Sequence, residues 1–478
     1  MKKINNLLLT AMTIIISSSV VGCSNTNSSN TTSTDGKLTL MLDSSAFIYG
    51  FDDIDVAISE HERDMAAGTL KNNQANKSIL ENTKLLKAWG EEKGKTIVSK
   101  NWGWADSLTQ KLMSAFLSQE TPDLIQGETQ MPGFAKQGYL EAFPDELANY
   151  VRENVSPIAY KDMEIDGKIY GISLTPSPSL LYWNKDILRQ ANVSSEIIEN
   201  GPKTWSEWES VMAQIYATKD SKGVSLNAGG IYVGNGGVNY GAFFRVGTLM
   251  DAAGGSIDDS TGAPNLVTDA NEKAFQFLIN QKNYNQGNIL NTKDEGSYFS
   301  YFNTNKIAYK VDGIWGAYEA NLYGQDIGYC VLPSYDGTGS GGSMLLGATY
   351  SSVPIYAKNK ELAFESIQFM LSKEIQDNIA KGGQRIPVLK ETINTIYDQT
   401  DAEWYNDFYA DYKEYASYCI EEEIHGLPDF TMKKGKLSNL WSAFGNSVAK
   451  TSIKSNNQSA KALLQEAQKA MITEWNKG

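Results

Sequence analysis

"TPDLIQGETQMPGFAKQGYLEAF", residues Thr121 to Phe143, decides the fold class. The segment ahead of it places Leu108, Leu112 and Phe116 on one helical face, with Asp106 as a capping residue. Pro122 and Asp123 stop that helix, and Leu124-Ile125-Gln126 starts a strand. Upstream, Lys37 to Leu42 alternates, with Leu38, Leu40 and Leu42 on one side, and reads as a first strand. Ser78 to Trp89 is a helix that turns Ile79, Leu86 and Trp89 inward, and Thr96 to Ser99 is a short strand. Strand–helix–strand–helix order predicts an α/β fold with a mostly parallel sheet and ligands at the strands' carboxyl ends. The same grammar returns downstream. Thr204 to Glu207 forms a capping box opening a helix with Trp208, Met212 and Ile215 inward, and Glu361 to Leu371 is another helix.

The chain has 478 residues, 41% hydrophobic and 21% charged, which is globular and long enough for two lobes. Its start reads as a secretory signal peptide over residues 1–22: Met1-Lys2-Lys3, then an apolar run from Leu7 to Ile16, then serines. The net charge is −14, or −16 once Lys2 and Lys3 leave with the leader. That charge excludes a nucleic-acid partner. Only His61 and His425 are present, so histidine-based metal or Ser-His chemistry is poorly supplied. "GEEKGKT" (Gly90 to Thr96) misses the phosphate-loop spacing by one residue, "GNGGVNYG" (Gly234 to Gly241) is not a dinucleotide fingerprint, and no Gly-x-Ser-x-Gly elbow occurs. No cofactor is expected. Cys330 and Cys419 either pair or stay as buried thiols; spacing does not decide.

Val20-Val21-Gly22-Cys23 resembles the lipobox of bacterial lipoproteins. The resemblance implies cleavage before Cys23 and a diacylglycerol, with palmitate-type chains, on its thiol. Residues 23–36 are then a polar tether, and the lipid is the protein's one contact with the membrane.

From Lys37 onward, motifs occur in one order. They are the opening stretch; "DGKIYGISL" with "LLYWNKDIL" (Asp166 to Leu188); "GPKTWSEWES"; "AAGGSI"; "FNTNKIAYKVDGIWGAY" (Phe302 to Tyr318); "IGYCVLP"; and "SKEIQDNIAKGGQRIPVLK" (Ser372 to Lys390). Together they resemble the extracellular solute-binding proteins of ABC transporters, carbohydrate type, maltose-binding-protein-like. The resemblance implies a two-lobed periplasmic-binding-protein fold (type II, Venus-flytrap) with a multi-strand hinge, the ligand lying between lobes that close on it. It implies lobe one at 37–172 plus 331–353, lobe two at 173–330 plus 354–478, and a hinge near Ser173, Cys330 and Val353. The chain departs from the family at Ser44 to Asn76, a long insertion dense in carboxylates. A solvated surface helix or a lid fits it better than a metal site.

A sugar offers apolar C–H faces to aromatic rings and a rim of hydroxyls to carboxylates, amides and Arg. The chain supplies 10 Trp, 25 Tyr and 16 Phe. The resemblance implies Trp315 as a stacking ring, with Asp312 beside it. It implies Trp441 as a second stacking ring, although the spacing also suits a core residue. Tyr240 and Phe244 fall near a third stacking position. Gln126, Glu128 and Gln130 follow a strand of lobe one where the family places hydroxyl partners. Trp104, paired with Trp102 in "NWGWADSL", and Tyr350, near the hinge, are further candidates. Arg385 is a donor, and Asp43 ends the first strand at a cleft-facing edge. The expected function is a lipid-anchored, monomeric, non-enzymatic receptor that delivers a carbohydrate, an oligosaccharide, to the transmembrane permease subunits of an ABC importer. A surface glycoside hydrolase, which needs two carboxylates across a sugar, and a polysaccharide-binding adhesin are the alternatives.

Overall fold

The structure is a computed structural model that describes residues 36–103, 105–128, 130–176, 179–234, 240–259, 261–292, 294–337, 349–405, 409 and 437–477, without the side chains of 105–106, 240–244, 295, 321 and 437–438. Cys23, Trp104 and Cys419 therefore lie outside the described residues.

The first part of the chain runs β1 (Lys37–Leu40), α1 (Ile54–Ala67), α2 (Gln74–Glu92), β2 (Thr96–Ser99), α3 (Ala105–Ser118), β3 (Ile125–Gly127), α4 (Met131–Lys136) and α5 (Asp145–Asn154). The short strands β4 (Glu164–Ile165), β5 (Lys168–Ile169) and β6 (Ile172–Ser173) follow. The middle is β7 (Leu180–Asn184), α6 (Lys185–Gln190), α7 (Ser195–Asn200), α8 (Trp205–Ala217), β8 (Asn227–Gly230), α9 (Tyr240–Ala252), α10 (Asp269–Gln281), α11 (Glu295–Asn303), β9 (Ile307–Asp312), α12 (Trp315–Leu322) and β10 (Ile327–Cys330). The last part is β11 (Tyr350–Ser352), α13 (Lys360–Met370), α14 (Lys373–Gly382), α15 (Lys390–Thr395), α16 (Leu437–Ser452) and α17 (Ala460–Trp475). Among the described residues no helix is long and apolar enough to cross a membrane.

Two groups of strands organise two lobes, with β4 and β5 forming a separate antiparallel pair. In the first, β1 pairs in parallel with β2, and Leu40 makes a parallel bridge to Leu124 at the edge of β3. β11 then runs antiparallel between β3 and β6. The second sheet has the order β10-β7-β9-β8, with β8 parallel to β9 and the other pairs antiparallel. A mostly parallel sheet was the expectation, and the sheets are mixed. The antiparallel pairs are made by strands that leave one lobe or return to it: β6 leads out to β7, and β10 leads back to β11.

Local signals produced the expected elements. Thr204 Oγ1 accepts the Glu207 N–H at 3.1 Å, and Glu207 Oε2 accepts the Lys203 N–H at 2.7 Å. Two orphan donors at the start of α8 are thereby satisfied. Trp208, Met212 and Ile215 are fully buried on that helix.

Residues 354–390, expected with lobe two, pack on lobe one. α13 lies against β1 and α14 against α2. Ile367, Ile375 and Val388 share a core with Leu38, Leu86 and Ile97. The buried Gln376 fastens this return by donating to Met370 O at 3.1 Å and accepting from Val388 N at 2.8 Å. The chain rejoins lobe two over Ile386, Ile393 and Ile396, which pack with Leu180, Tyr182 and Ile314. The third crossing thus follows α14 and does not sit at Val353. α16 and α17 pair with each other and close over α10.

The insertion forms α1, which lies on α2. Asp53 caps it by accepting from Asp55 N and Val56 N. Its carboxylates meet lysines: Asp55 lies 2.6 Å from Lys87, Glu62 lies 2.7 Å from Lys84, and the preceding Asp52 lies 2.9 Å from Lys100. This is the solvated helix of the expectation.

Candidate functional site

The helix that begins at Trp315 is set on a buried ionic cluster. β9 is buried along its whole length and ends at Asp312. Asp312 Oδ1 accepts from Arg245 Nη2 at 3.3 Å and from Gly313 N at 2.9 Å, and its Oδ2 accepts from Lys310 Nζ at 3.3 Å. All three side chains are at most 1% exposed. The Lys310 ammonium is also ringed by Phe302, Phe299 and Tyr182, at 4.9, 5.2 and 5.4 Å from their centroids. Asp312 is therefore spent on two cations and is not a hydroxyl acceptor, contrary to the expectation. Its carboxylate fixes the end of β9, and α12 starts from that fixed point.

α12 presents a working face at spacings of three and four residues. Trp315 is half-buried, and the Arg385 guanidinium lies 4.5 Å over its ring. One turn on, the Tyr318 hydroxyl accepts from Asn73 Nδ2 at 2.9 Å and is also hydrogen-bonded by Gln384. Burial pushes the Tyr318 hydroxyl up from the usual phenol range. Glu319 lies 3.9 Å from Lys310 and accepts from Asn303 Nδ2 at 3.4 Å. Burial raises its carboxyl above the usual carboxylate range, and Lys310 opposes that shift. At the end of the helix, Lys71 sits 5.7 Å over the Tyr323 ring. Four residues of two other segments, Lys71 and Asn73 before α2 and Gln384 and Arg385 after α14, thus converge on α12. The tail of the insertion does reach lobe two, which is the part a lid would play.

In lobe one β3 and the residues just after it carry the second group. Gln126 is buried and donates to Ser351 Oγ at 3.4 Å. Glu128 is half-buried. Gln130 begins α4 at 7% exposure, and its Nε2 meets no hydrogen-bond partner among the described residues. A buried donor left open in this way is costly unless something else accepts from it. Both groups lie at the carboxyl ends of strands, β3 and β9, where open α/β sheets bind ligands.

Three further candidates move into the interior. Asp43, at 4% exposure, accepts from Ser45 N and Oγ and from the hydroxyls of Thr175 and Thr349. Tyr350 is fully buried and donates to Asp162 Oδ2 at 2.8 Å, because β11 is the central strand of its sheet. Trp441 is 1% exposed, packed in the core under α16. Tyr240 and Phe244 lie on α9, but their side chains are outside the described residues. Of the expected set, Trp315 and Arg385 are in contact, Gln126 lies in β3, and Glu128 and Gln130 follow it. Sequence reasoning missed Asn73, Tyr318, Glu319 and Gln384. The one signal available was the 315/318/319 spacing on a short helix.

Residues 80–377 match the family model of the bacterial extracellular solute-binding proteins. The maltotriose-binding protein of Pyrococcus abyssi is 24% identical over 60% of this chain and 59% of its own length. The galactooligosaccharide-binding protein of Bacillus subtilis is 23% identical over 48% of this chain and 52% of its own. The chain thus spans little more than half the length of these curated relatives. Among solved structures, the cyclic α-maltosyl-1,6-maltose-binding protein of Arthrobacter globiformis superposes with a TM-score of 0.66 at 16% identity, covering 92% of this chain and 99% of that one. The family model matches more than half of the chain, and the protein belongs to the bacterial extracellular solute-binding proteins.

Proposed function

We propose that this protein is the substrate-binding receptor of an ABC sugar importer, holding an oligosaccharide between its lobes and handing it intact to the permease. The observation that carries the reading is the half-buried Trp315 at the carboxyl end of β9, with Arg385 against its ring and the open amide of Gln130 at the corresponding end of β3. An aromatic plane, a guanidinium and an unsatisfied amide donor match a sugar's C–H face and hydroxyl rim. The maltotriose and galactooligosaccharide specificities of the two relatives agree with that chemistry. Binding stabilises the closed arrangement of the lobes, and ATP is hydrolysed by other subunits. Val20-Val21-Gly22-Cys23 supports attachment by a lipid on Cys23 at the outer face of the cell membrane. Changing Cys23 to Ser would then move the protein from the membrane fraction to the medium, and retention of the Ser variant on membranes would refute the anchor.

Thermal unfolding against maltotriose, galactooligosaccharides and mannooligosaccharides tests the ligand. A sugar bound only by the folded form adds about 2.7 kcal/mol of stability at a hundred times its Kd. The expected result is a raised Tm with one oligosaccharide, which is recovered uncut. Trp315→Ala should weaken that sugar by about 2 kcal/mol, roughly 30-fold in Kd, with the unliganded Tm nearly unchanged. Recovery of cleaved sugar would make the protein a glycoside hydrolase, and no shift with any sugar would end the carbohydrate reading.

A further inference from the structure

The insertion ends in a short run, Lys71 to Asn73, that reaches from lobe one to α12 of lobe two. Asn73 uses both ends of its amide. Its Oδ1 accepts from Asn76 N at 3.0 Å and caps α2, while its Nδ2 donates to the Tyr318 hydroxyl at 2.9 Å. Turning the amide over would set Nδ2 against the Asn76 N–H, donor to donor, so the cap fixes which end faces Tyr318. The run is braced from behind. Asn76 Nδ2 donates to Lys71 O at 2.8 Å, and Nε2 of His61 in α1 lies 3.1 Å from Asn76 O. Tyr318 is held from a second side by Gln384, which follows α14, a helix packed on α2 of lobe one. Lys71 adds a cation–π contact to Tyr323 at 5.7 Å, weak because that ring is 60% exposed.

We propose that Asn73 is a positioning residue that straps lobe one to α12, and that this bond resists movement of α12 and of the Trp315 ring it carries. At eight residues α12 is too short to be stable by itself, so its neighbours set its position. Lobe two supplies β10 and the fixed end of β9. Lobe one supplies Asn73 and Gln384, both through the hydroxyl of Tyr318. Separating the lobes at this edge takes that hydroxyl from both partners at once. The insertion thus does more than cover α2: its last residues carry a donor whose direction the α2 cap has already set. The inference rests on the two-lobed fold and not on the identity of the sugar.

The test is native-state amide hydrogen exchange on the full chain without ligand, read by mass spectrometry, for wild type, Asn73→Ser, Tyr318→Phe and the double variant. Serine caps a helix as asparagine does but is too short to reach Tyr318, and phenylalanine keeps the ring and removes the hydroxyl. Asn73→Ser, a change in lobe one, should speed exchange of the α12 amides in lobe two by about 5-fold, the loss expected for one hydrogen bond. In the Tyr318→Phe background the same change should add nothing further at α12, because the bond it removes is already gone. Tyr318→Phe alone should in turn speed exchange at Asn76 and Lys77, whose N–H groups Asn73 holds. The β1–β2 and β7–β9 amides should keep wild-type protection throughout. Wild-type exchange at α12 in Asn73→Ser, or equal acceleration by Asn73→Ser in both backgrounds, would overturn the strap. Loosening of the β1–β2 pair to the same extent would show a general loss of stability and overturn it equally.

Discussion

Asp312→Ala lowers unfolding free energy by about 3–5 kcal/mol, the cost of leaving buried charge without its partner. Arg245, Lys310 and Asp312 are at most 1% exposed, and among the described residues the Asp312 carboxylate pairs with both cations. Without it, Arg245 keeps Val311 O at 2.6 Å and the face of Phe299, and Lys310 keeps Glu319 at 3.9 Å and three aromatic rings. Glu319 then balances part of the Lys310 charge, whereas the Val311 carbonyl and the Phe299 face carry no net charge with which to balance Arg245. A domain of this kind is stable by only about 5–15 kcal/mol in total, so the loss is a large share. Lys310→Met should be far milder. It fills the ring cage with a side chain of similar length and leaves Asp312 paired with Arg245. The large penalty belongs to a buried charge left without a partner, and this change leaves one cation with one carboxylate. Urea unfolding of the three proteins, with matching m-values, decides the matter. A loss under 1 kcal/mol for Asp312→Ala, or an equal loss for Lys310→Met, would mean that the cluster does not work as a charge balance.

That cluster also shows why the site was only partly legible. Asp43 was read as a ligand because it ends the first expected strand, and Asp312 because the family resemblance puts it beside Trp315. Their fates are decided by partners far away in sequence: Arg245 is 67 residues from Asp312, and Thr175 and Thr349 are 132 and 306 residues from Asp43. No local pattern encodes those distances. Features set by neighbours within one turn were legible, as in the Thr204–Glu207 capping box and the strand at Thr96–Ser99. Trp441 falls between the two cases. Its helix has the right amphipathic spacing, but that pattern gives a buried stripe and cannot separate a core ring from a ring that meets a ligand. The assignment of 354–390 to lobe two failed for a related reason. The family order places motifs along the chain, while the packing of α13 on β1 and α14 on α2 joins segments far apart in sequence. Trp315 and Arg385 were readable singly. Their contact joins residues on α12 and in the turn after α14, so it emerged only with the fold.

Gly328→Ala is expected to cost about 3 kcal/mol, at the upper end for overpacking, because its methyl group would enter an indole ring. Trp183 lies in β7 directly opposite Gly328 of β10, is 1% exposed, and donates from Nε1 to Ile198 O at 2.8 Å. A Cβ at position 328 would stand 2.2 Å from Trp183 Cε2 and Cζ2. Gly201, at φ +71°, also lies against the ring, so close that a Cβ there would stand 2.6 Å from Cη2. The indole is therefore closely approached by two glycines, and it is held in place by its bond to Ile198 O. The alternative is for β10 to move off β7, which displaces the strand that carries the returning crossing. The pairing of Trp183→Leu with Gly328→Ala distinguishes clash from backbone preference. Leucine vacates the space of the six-membered ring, so the alanine should cost less than about 1 kcal/mol in that background. Chemical unfolding of the single and double variants measures both numbers. If the alanine costs as much beside leucine as beside tryptophan, the glycine is required by the strand's own backbone and not by the ring, and the link from Trp183 to the crossing strand fails.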